Sequence, residues 1–549
     1  MKIGRNQPCH CNSGKKFKHC HGSYKQQDSS IGLPLFDPLE RSLARVRAAE
    51  QIRQTQQGLG RPVIATRFHD HQMVAVGDTM YWSKAWKTVP DFLADYLKNV
   101  LDPKWGDAEI QKPFEDRHPI IQWYDHYCRY QMRMTKKPGQ VTSFQVTGVV
   151  ACFLGLAYSL YLLAHNVELQ TRLIARLKDI GNFQGAYYEL IIANTLIRAG
   201  FTLTLEDETD RQSRHCEFAA ISKATGKRYW VEAKMRSVAG LLGRTEQDGT
   251  TNPNPLARLT KHLSDALAKP AADERLIFID LNTDFDPTLA DKQAWRQPAT
   301  TMLERYERHH PDARAYVIVT NTPFHRMLDQ PAPIMALPFG LGMHDFNRPG
   351  YYRVSDVYKN KRKYIDIFNI CDGFAKYMIF PTTFDGSLPS ETFGPSRPRV
   401  LIGETYLFED ADNMVGTVTC ATVNEEEKKV YVSVTDQQTG LSHILVEDMT
   451  DDALADYRAN KDSYFGEIRP VGRRVNDIHE LYEWLVQAYQ HTPRAKFIEW
   501  MAPYFPPDAL DAMTDDDLRS IYCEGLVGRM QQNGTIPPSQ TGPTKPPSI

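Results

Sequence analysis

The spacing of apolar and polar positions changes several times along this chain of 549 residues. Helical spacing, with apolar residues three and four positions apart, dominates residues 61–180 and returns in residues 450–532. In residues 399–449 the period becomes two, and four short runs separated by turn residues predict a small antiparallel β module. A chain of this length with such changes of pattern is predicted to fold as several domains.

The segment Phe183–Lys234 combines both patterns. A helix is predicted first, from apolar or small residues on one stripe, followed by Gly200 as its end. Strand-like runs follow at residues 201–205, 216–221 and 229–234, then a helix at 256–267 and strands at 275–281 and 315–319. Strands that alternate with helices predict an α/β/α domain, which we place at residues 181–325.

Charged residues on the predicted strands suggest chemistry. Glu232 and Lys234 are two positions apart, so both side chains project from one face of the sheet. Glu217 lies on the neighbouring predicted strand, and Glu189 lies at the edge of the apolar stripe of the helix. Two carboxylates can hold a hard divalent cation, and an adjacent ammonium can activate a metal-bound water. A Glu-x-Lys pair on a solvated strand face is the alternative reading of the same residues.

These residues resemble the PD-(D/E)xK nucleases of the restriction-endonuclease-like fold, whose core is a helix, three strands, a helix and a strand. The resemblance covers roughly residues 181–320 and places the family's E-x-K on Glu232-Ala233-Lys234. It places the upstream acidic residue on Glu217, where the family usually has Asp, and the acidic residue of the first helix on Glu189. It implies catalysis by all four residues, with magnesium held by Glu217 and Glu232.

The first 24 residues contain a second motif, MKIGRNQPCHCNSGKKFKHCHGSY. Cys9, Cys11, Cys20 and His21 supply three thiolates and one imidazole, which is a complete tetrahedral ligand set for structural zinc. A segment this short has too little core to fold without the metal. The run closely resembles the SEC-C motif, known from the C-terminal tail of the preprotein-translocation ATPase SecA. It carries five basic residues and no acidic one, so protein docking, ribosome docking and nucleic-acid contact remain open.

Further basic residues are candidates for nucleic-acid contact. Lys261 and His262 lie on the helix that follows the Glu-x-Lys strand. Within residues 326–398, which show no clear period, basic and aromatic residues interleave around Lys359, Lys361, Arg362 and Lys363. Such interleaving is found on surfaces that neutralise phosphates and stack bases, although a solvated run of charge has the same composition.

The whole chain is therefore predicted to be a multidomain α/β plus α+β protein. Its predicted parts are the zinc motif at 1–24, a linker with an exposed helix at 25–60, a mostly helical domain at 61–180, the nuclease-like domain at 181–325, an irregular region at 326–398, the β module at 399–449, a helical region at 450–532 and a disordered tail at 533–549.

Composition and charge indicate the compartment of the protein and the partners that it can bind. The formal net charge is −2, so any nucleic-acid binding depends on local patches. The apolar run Val149–Ala164 is short for a membrane span and is predicted to be a buried helix, so we expect no membrane contact. Nine cysteines, three of them in the zinc motif, favour a reducing cytoplasm. We therefore predict a cytoplasmic, metal-dependent nuclease of DNA or RNA, in restriction, repair or defence against mobile elements; the alternative is a non-catalytic, zinc-bearing adaptor.

Overall fold

A computed structural model describes residues 38–135, 137, 139–205, 218–238, 253–289, 292–348, 350, 353–394, 398–468 and 477–533. The four predicted zinc ligands and Glu217 lie outside these residues. The described residues of Met1–Gln145, Phe153–Ile174 and Met378–Val471 cluster in a first unit, and those of Val146–Cys152, Ala175–Tyr377 and Gly472–Ile549 in a second unit.

The described part of the chain is a mixed α/β structure with 18 α-helices and 13 strands. The helices are α1 Pro38–Gln57, α2 Val89–Val100, α3 Pro103–Ile110, α4 Pro119–Met134, α5 Gly148–Asn166, α6 Thr171–Lys178, α7 Phe183–Arg198, α8 Leu259–Leu267, α9 Arg296–His309, α10 His344–Asn347, α11 Val354–Lys363, α12 Ile365–Ala375, α13 Pro389–Phe393, α14 Asp451–Ala459, α15 Ile478–Ala488, α16 Arg494–Met501, α17 Pro507–Ala512 and α18 Asp515–Gln532. The strands are β1 Ile64–Phe68, β2 His71–Val76, β3 Thr79–Ser83, β4 Phe201–Leu205, β5 Phe218–Ser222, β6 Arg228–Met235, β7 Glu274–Asp280, β8 Ala315–Asn321, β9 Met335–Leu341, β10 Thr405–Phe408, β11 Met414–Asn424, β12 Lys429–Asp436 and β13 Ser442–Asp448.

The first unit contains two antiparallel sheets, β1-β2-β3 and β10-β11-β12-β13. The second of these is the predicted β module, and all four of its predicted strands are present. The prediction that α1 is an exposed helix is wrong in part. Ala48 and Ile52 of α1 are buried, and Ile52 packs into the core of the β module. Polar residues of α1 also hold this helix in place. The guanidinium of Arg45 donates a hydrogen bond to the carbonyl oxygen of Gly466 at 2.6 Å, a contact that apolar spacing in the sequence does not reveal.

The second unit is built around a six-stranded sheet of order β4-β5-β6-β7-β8-β9. Strands β4, β5 and β6 form an antiparallel meander, β6, β7 and β8 are parallel, and β9 returns antiparallel at the edge. Helix α7 precedes the meander and α8 connects β6 to β7. A parallel pair needs such a crossover, because a short hairpin can join only antiparallel strands.

Helices cover both faces of this sheet. On one face, Ile277 and Ile279 of β7 form a core with Leu263 of α8 and with residues of α9. On the other face, the hydroxyl of Tyr188 on α7 bonds to Thr320 of β8, and Phe278 meets Phe374 of α12 edge to face. Successive residues of a strand point to opposite faces, which fixes the side on which each β6 residue lies.

The prediction that residues 326–398 form an irregular region is wrong. They supply the edge strand β9 and helices α10 to α13. Strand β9 carries Pro338, which the interior of a sheet does not tolerate but an edge strand does. This proline, and the burial of both faces of β9, remove the period of two from the sequence.

Helical predictions elsewhere are largely confirmed. The apolar run Val149–Ala164, predicted to be a buried helix, lies in α5, which is the one helix in the described residues that is long and apolar enough to cross a membrane; 94% of its most apolar window is buried. Asp515, Asp516 and Asp517 begin α18, and the hydroxyl of Thr514 caps this helix by accepting from the backbone N–H of Asp517.

Candidate functional site

Strand β6 presents Glu232 and Lys234 on the face covered by α8 and α9. In the parallel register of β6 and β7, Glu232 lies beside Ile277 and Lys234 beside Ile279. The carboxylate of Glu232 is 2% exposed and forms an ion pair with the ammonium of Lys234, which is 28% exposed. The structure therefore brings together the two residues of the Glu-x-Lys motif and buries the acidic one.

A second lysine, which the sequence analysis missed, completes this cluster. The ammonium of Lys269 lies 2.7 Å from Oε1 and 2.8 Å from Oε2 of Glu232. Lys269 directly follows Ala268, the C-cap of α8, so the crossover from β6 to β7 brings it back to the strand. Two ammonium groups around one buried carboxylate leave the cluster with a net charge of about +1 when all three groups are ionised.

Helix α8 brings His262 near the same cluster. Leu259, Leu263 and Ala266 are buried in the core under this helix, and His262 is half-buried beside them, whereas Lys261 is exposed. Burial lowers the pKa of His262, and the positive charges of Lys234 and Arg258 lower it further. His262 is therefore a neutral imidazole at pH 7, which can donate one hydrogen bond and accept another.

Glu189, the predicted contribution of the first helix, is bound by an arginine. Its carboxylate accepts two hydrogen bonds from the guanidinium of Arg176, at 2.8 Å and 2.5 Å. Helix α7, which carries Glu189, packs on the sheet face of Tyr188 and Thr320, opposite the face of Glu232. Glu189 and Glu232 thus belong to different faces of the central sheet.

The basic residues of α11 lie opposite carboxylates. Lys361 reaches Glu483 of α15 at 3.0 Å, and Lys359 lies 4.0 Å from Asp517 of α18. Lys363 pairs with Asp345, while the guanidinium of Arg362 lies over the ring of Tyr358. Three of the four basic residues thus have a carboxylate partner on a neighbouring helix, and these ion pairs join α11 to α10, α15 and α18.

A second buried polar cluster lies at the carboxyl ends of β7 and β8. Asp280 accepts hydrogen bonds from the hydroxyl of Thr320 at 2.8 Å and from the backbone N–H of Asn282 at 2.8 Å. Burial raises the pKa of Asp280 to about 7, against the lowering effect of these hydrogen bonds. His325, 2.8 Å from the side-chain oxygen of Asn282, has its pKa lowered to about 3 by burial and by the charge of Arg326.

Within the residues that the structure describes, no three His, Cys, Asp or Glu side chains are grouped so that they could hold a metal ion. Glu217, the second predicted magnesium ligand, and the whole predicted zinc site of Cys9, Cys11, Cys20 and His21 lie outside the described residues.

Comparison with known proteins finds similarity at the N-terminus. The SEC-C motif family matches residues 5–23. The protein translocase subunit SecA of Pseudomonas putida is 81% identical over 22 residues, and that of Orientia tsutsugamushi 79% identical over 24 residues. The subunit SecA 1 of Rhodopseudomonas palustris is 74% identical over 23 residues. Each match covers 4% of this chain and 2% to 3% of the translocase subunit. No solved structure matches the chain. The chain thus carries an N-terminal SEC-C motif.

Proposed function

We propose that this protein is a metal-dependent nuclease that hydrolyses phosphodiester bonds of DNA or RNA in the cytoplasm. The order of elements in the second unit supports the proposal: α7, the meander β4-β5-β6, α8 and the parallel strand β7. The PD-(D/E)xK core that the sequence resembles has the same order: a helix, three strands, a helix and a strand. Restriction, repair and defence against mobile elements are all settings for such an activity.

The observation that carries the proposal is the buried carboxylate of Glu232 beside Lys234 on the third strand of this meander. A buried carboxylate oxygen is a donor that magnesium prefers. Glu232 would hold the ion together with Glu217, and the bound ion would supply charge neutralisation at the phosphodiester. Since Lys269 contacts both oxygens of Glu232, its ammonium has to withdraw from the carboxylate for a cation to bind there.

We propose that the remaining groups act on the phosphate. The ammonium of Lys234 would stabilise the negative charge that develops on the phosphoryl oxygens during in-line attack. His262, whose pKa is lowered by burial and by the charge of Lys234, would donate a hydrogen bond to the same phosphate. The exposed Lys261 of α8 would contact the nucleic-acid backbone.

The test is cleavage by the purified full-length protein. End-labelled single-stranded and double-stranded DNA and RNA are incubated with Mg²⁺ or Mn²⁺, and in parallel with EDTA. We expect metal-dependent cleavage of at least one substrate, and loss of at least about a hundredfold in rate for Lys234→Met and for Glu232→Gln, since each removes one element of charge stabilisation.

The matched control is Lys376→Met, which removes a lysine from another ion pair of the same unit, that with Asp372. It should cleave at the rate of the unaltered protein. Circular dichroism of each variant verifies that it is folded. No cleavage of any substrate by the unaltered protein would overturn the proposed activity, and unchanged rates in both site variants would overturn the site assignment.

For the SEC-C motif we propose structural zinc bound by Cys9, Cys11, Cys20 and His21. Metal analysis of the purified protein should give about one zinc per chain, and Cys9→Ser should lose most of it, since three ligands no longer close the tetrahedral site. Cys420→Ser is the control, because Cys420 is an exposed free thiol in the β module. Retention of zinc after Cys9→Ser would refute this ligand set. The occupied module would dock on a protein, a ribosome or nucleic acid.

One observation favours the second candidate, a non-catalytic adaptor that carries the zinc module. Glu232 is surrounded by two ammonium groups, and Glu189 is held by Arg176, so both carboxylates already have cationic partners. In an adaptor these ion pairs stabilise the sheet and its helices. The cleavage screen separates the two functions, because an adaptor cuts none of the substrates, with or without metal.

A further inference from the structure

The first unit contains a cavity of about 520 Å³ between β3, α2, α3 and α4. Small-molecule sites in proteins have volumes on the order of 300–1,000 Å³ and are lined mainly by apolar and aromatic side chains with a few polar groups. This cavity has that composition, since its floor includes the buried residues Leu97, Leu101 and Ile120. Nothing in the nuclease proposal involves it.

Aromatic rings form the walls of the cavity. Three are the indoles of Trp82, Trp86 and Trp105, and two are the phenol of Tyr124 and the phenyl ring of Phe153. Trp82 is 62% exposed, which is unusual for so large an apolar side chain. Faces of aromatic rings attract cations, and indole does so most strongly.

The charged groups that line the cavity are mainly acidic. Asp95, Asp102 and Asp107 supply three carboxylates, whereas Lys98 is the one cationic side chain among the described residues that line it. Asp95 is fixed in place because its Oδ2 accepts a hydrogen bond from Nε1 of Trp86 at 2.7 Å. Carboxylates combined with aromatic walls favour a positively charged ligand over a neutral or anionic one.

Lys98 itself shows where a cation fits. Its ammonium lies 5.6 Å from the centre of the Tyr124 ring and 3.6 Å from Oδ1 of Asp95. The side chain is 52% exposed and long, so it can leave this position at little cost. The ammonium of Lys98 thus stands in for the charged group of a ligand, between a carboxylate and an aromatic face.

We propose that this cavity binds an organic cation: an amine or guanidinium carried on an apolar stem. The charged group takes the position of the Lys98 ammonium beside Asp95 and Tyr124, and the stem lies against the indole of Trp82 and the apolar floor. A free amine metabolite and a basic side chain of a peptide share this chemistry.

Isothermal titration calorimetry of the full-length protein in phosphate buffer tests the proposal. Tryptamine is the probe for free amines, and tryptophol, which replaces the ammonium by a hydroxyl, is its neutral counterpart. A capped Ala-Arg-Ala peptide and the same peptide with citrulline in place of arginine form the second arm. We expect each cation that binds to do so at least about tenfold more tightly than its neutral counterpart, and the arm that binds identifies the source.

Two variants locate the binding. Trp82→Ala should weaken it about tenfold because it removes one wall, and Lys98→Met should strengthen it about tenfold because it removes the internal competitor. A merely structural cavity does not predict the second effect. Trp484→Ala, at a partly exposed tryptophan of the second unit, is the control and should leave affinity unchanged. Equal affinity for tryptamine and tryptophol, no saturable binding in either arm, or unchanged affinity in both variants would overturn the proposal.

Discussion

Replacing Asp280 by Asn tests how the buried polar cluster at the ends of β7 and β8 is protonated. The carboxyl group is fully buried and accepts hydrogen bonds from Thr320 and from the backbone of Asn282, with Thr322 as a further partner. Asn keeps an oxygen for the backbone N–H. Its amide can donate to the hydroxyl of Thr320, which can then donate to Tyr188, 2.7 Å away. The variant therefore preserves the network and removes the charge.

The size of the effect follows from the pKa. Burial raises the pKa of Asp280 from the ordinary value of 3.8 to about 7. Below pH 3.8 the carboxyl is protonated in the folded and unfolded chain, and its contribution is fully present. As pH rises toward 7 the unfolded chain releases the proton and the folded chain retains it, so stability falls. At about 1.4 kcal/mol per pH unit, the loss over this window is about 4 kcal/mol.

His325 acts in the opposite direction, which makes the variant necessary. Its pKa is lowered from 6.5 to about 3, so its contribution is present above pH 6.5 and is lost as pH falls toward 3. Between about pH 4 and pH 6.5 the two slopes nearly cancel in the unaltered protein. Asp280→Asn removes the pH dependence due to Asp280, so that the free energy of unfolding follows the pH dependence due to His325.

The assay is urea unfolding at several pH values from 4 to 8. Pulse-labelling hydrogen exchange of peptides from β7 and β8 reports on the second unit, which total fluorescence of a chain with two units cannot do. The free energy of unfolding of Asp280→Asn, minus that of the unaltered protein, should rise by about 4 kcal/mol from pH 4 to pH 8. The exposed Asp372→Asn is the control and should show no such trend. A stability difference that does not change with pH would refute the reasoning.

Three further predictions concern stability of the second unit, measured by the same unfolding assay. Lys269→Met should lower the free energy of unfolding by about 1–2 kcal/mol, because Glu232 keeps one ammonium partner. Glu232→Gln should lower it by about 3 kcal/mol, because both ammonium groups lose their carboxylate. Equal losses would contradict the shared ion pair. Asp366→Ala should cost at least about 3 kcal/mol, because three hydroxyl donors lose their acceptor; a loss below 1 kcal/mol would contradict this role. Gly148→Ala should prevent normal packing, because the added Cβ overlaps backbone carbonyl oxygens, while Gly181→Ala meets ordinary contacts; similar stabilities of the two would contradict the close approach.

Elements with a regular period could be predicted from the sequence. The four strands of the β module are found where alternation placed them, and the buried helix predicted at Val149–Ala164 lies in α5. The shared face of Glu232 and Lys234 followed from the period of a strand, and the structure places both beside consecutive inward residues of β7. Local rules suffice for such features, because each depends on residues that are near in sequence.

Features that depend on distant parts of the chain could not be predicted in this way. Strand β9 completes the central sheet but carries a proline and has no alternation, and α1 is buried through Ala48 and Ile52 without a continuous apolar stripe. The partners of α11 show the same limit: the sequence displays a run of basic residues, and their carboxylates come from α15, α18 and Asp345. Charge in a sequence reports composition, whereas only the fold decides which charges are neutralised.

Lys269 is the clearest example, and it changes the chemistry of the candidate site. It lies 37 residues from Glu232, and the crossover helix returns it to the strand. With Lys234 alone the ion pair with Glu232 would be neutral; with Lys269 as well the cluster carries a net positive charge, which opposes the binding of a cation. A divalent ion can bind Glu232 only by displacing the Lys269 ammonium. In a nuclease, the phosphate of a bound substrate would attract this ammonium away from Glu232 and so make the displacement easier. In that case metal and nucleic acid bind together, each favouring the other, whereas in an adaptor Lys269 remains on Glu232 throughout.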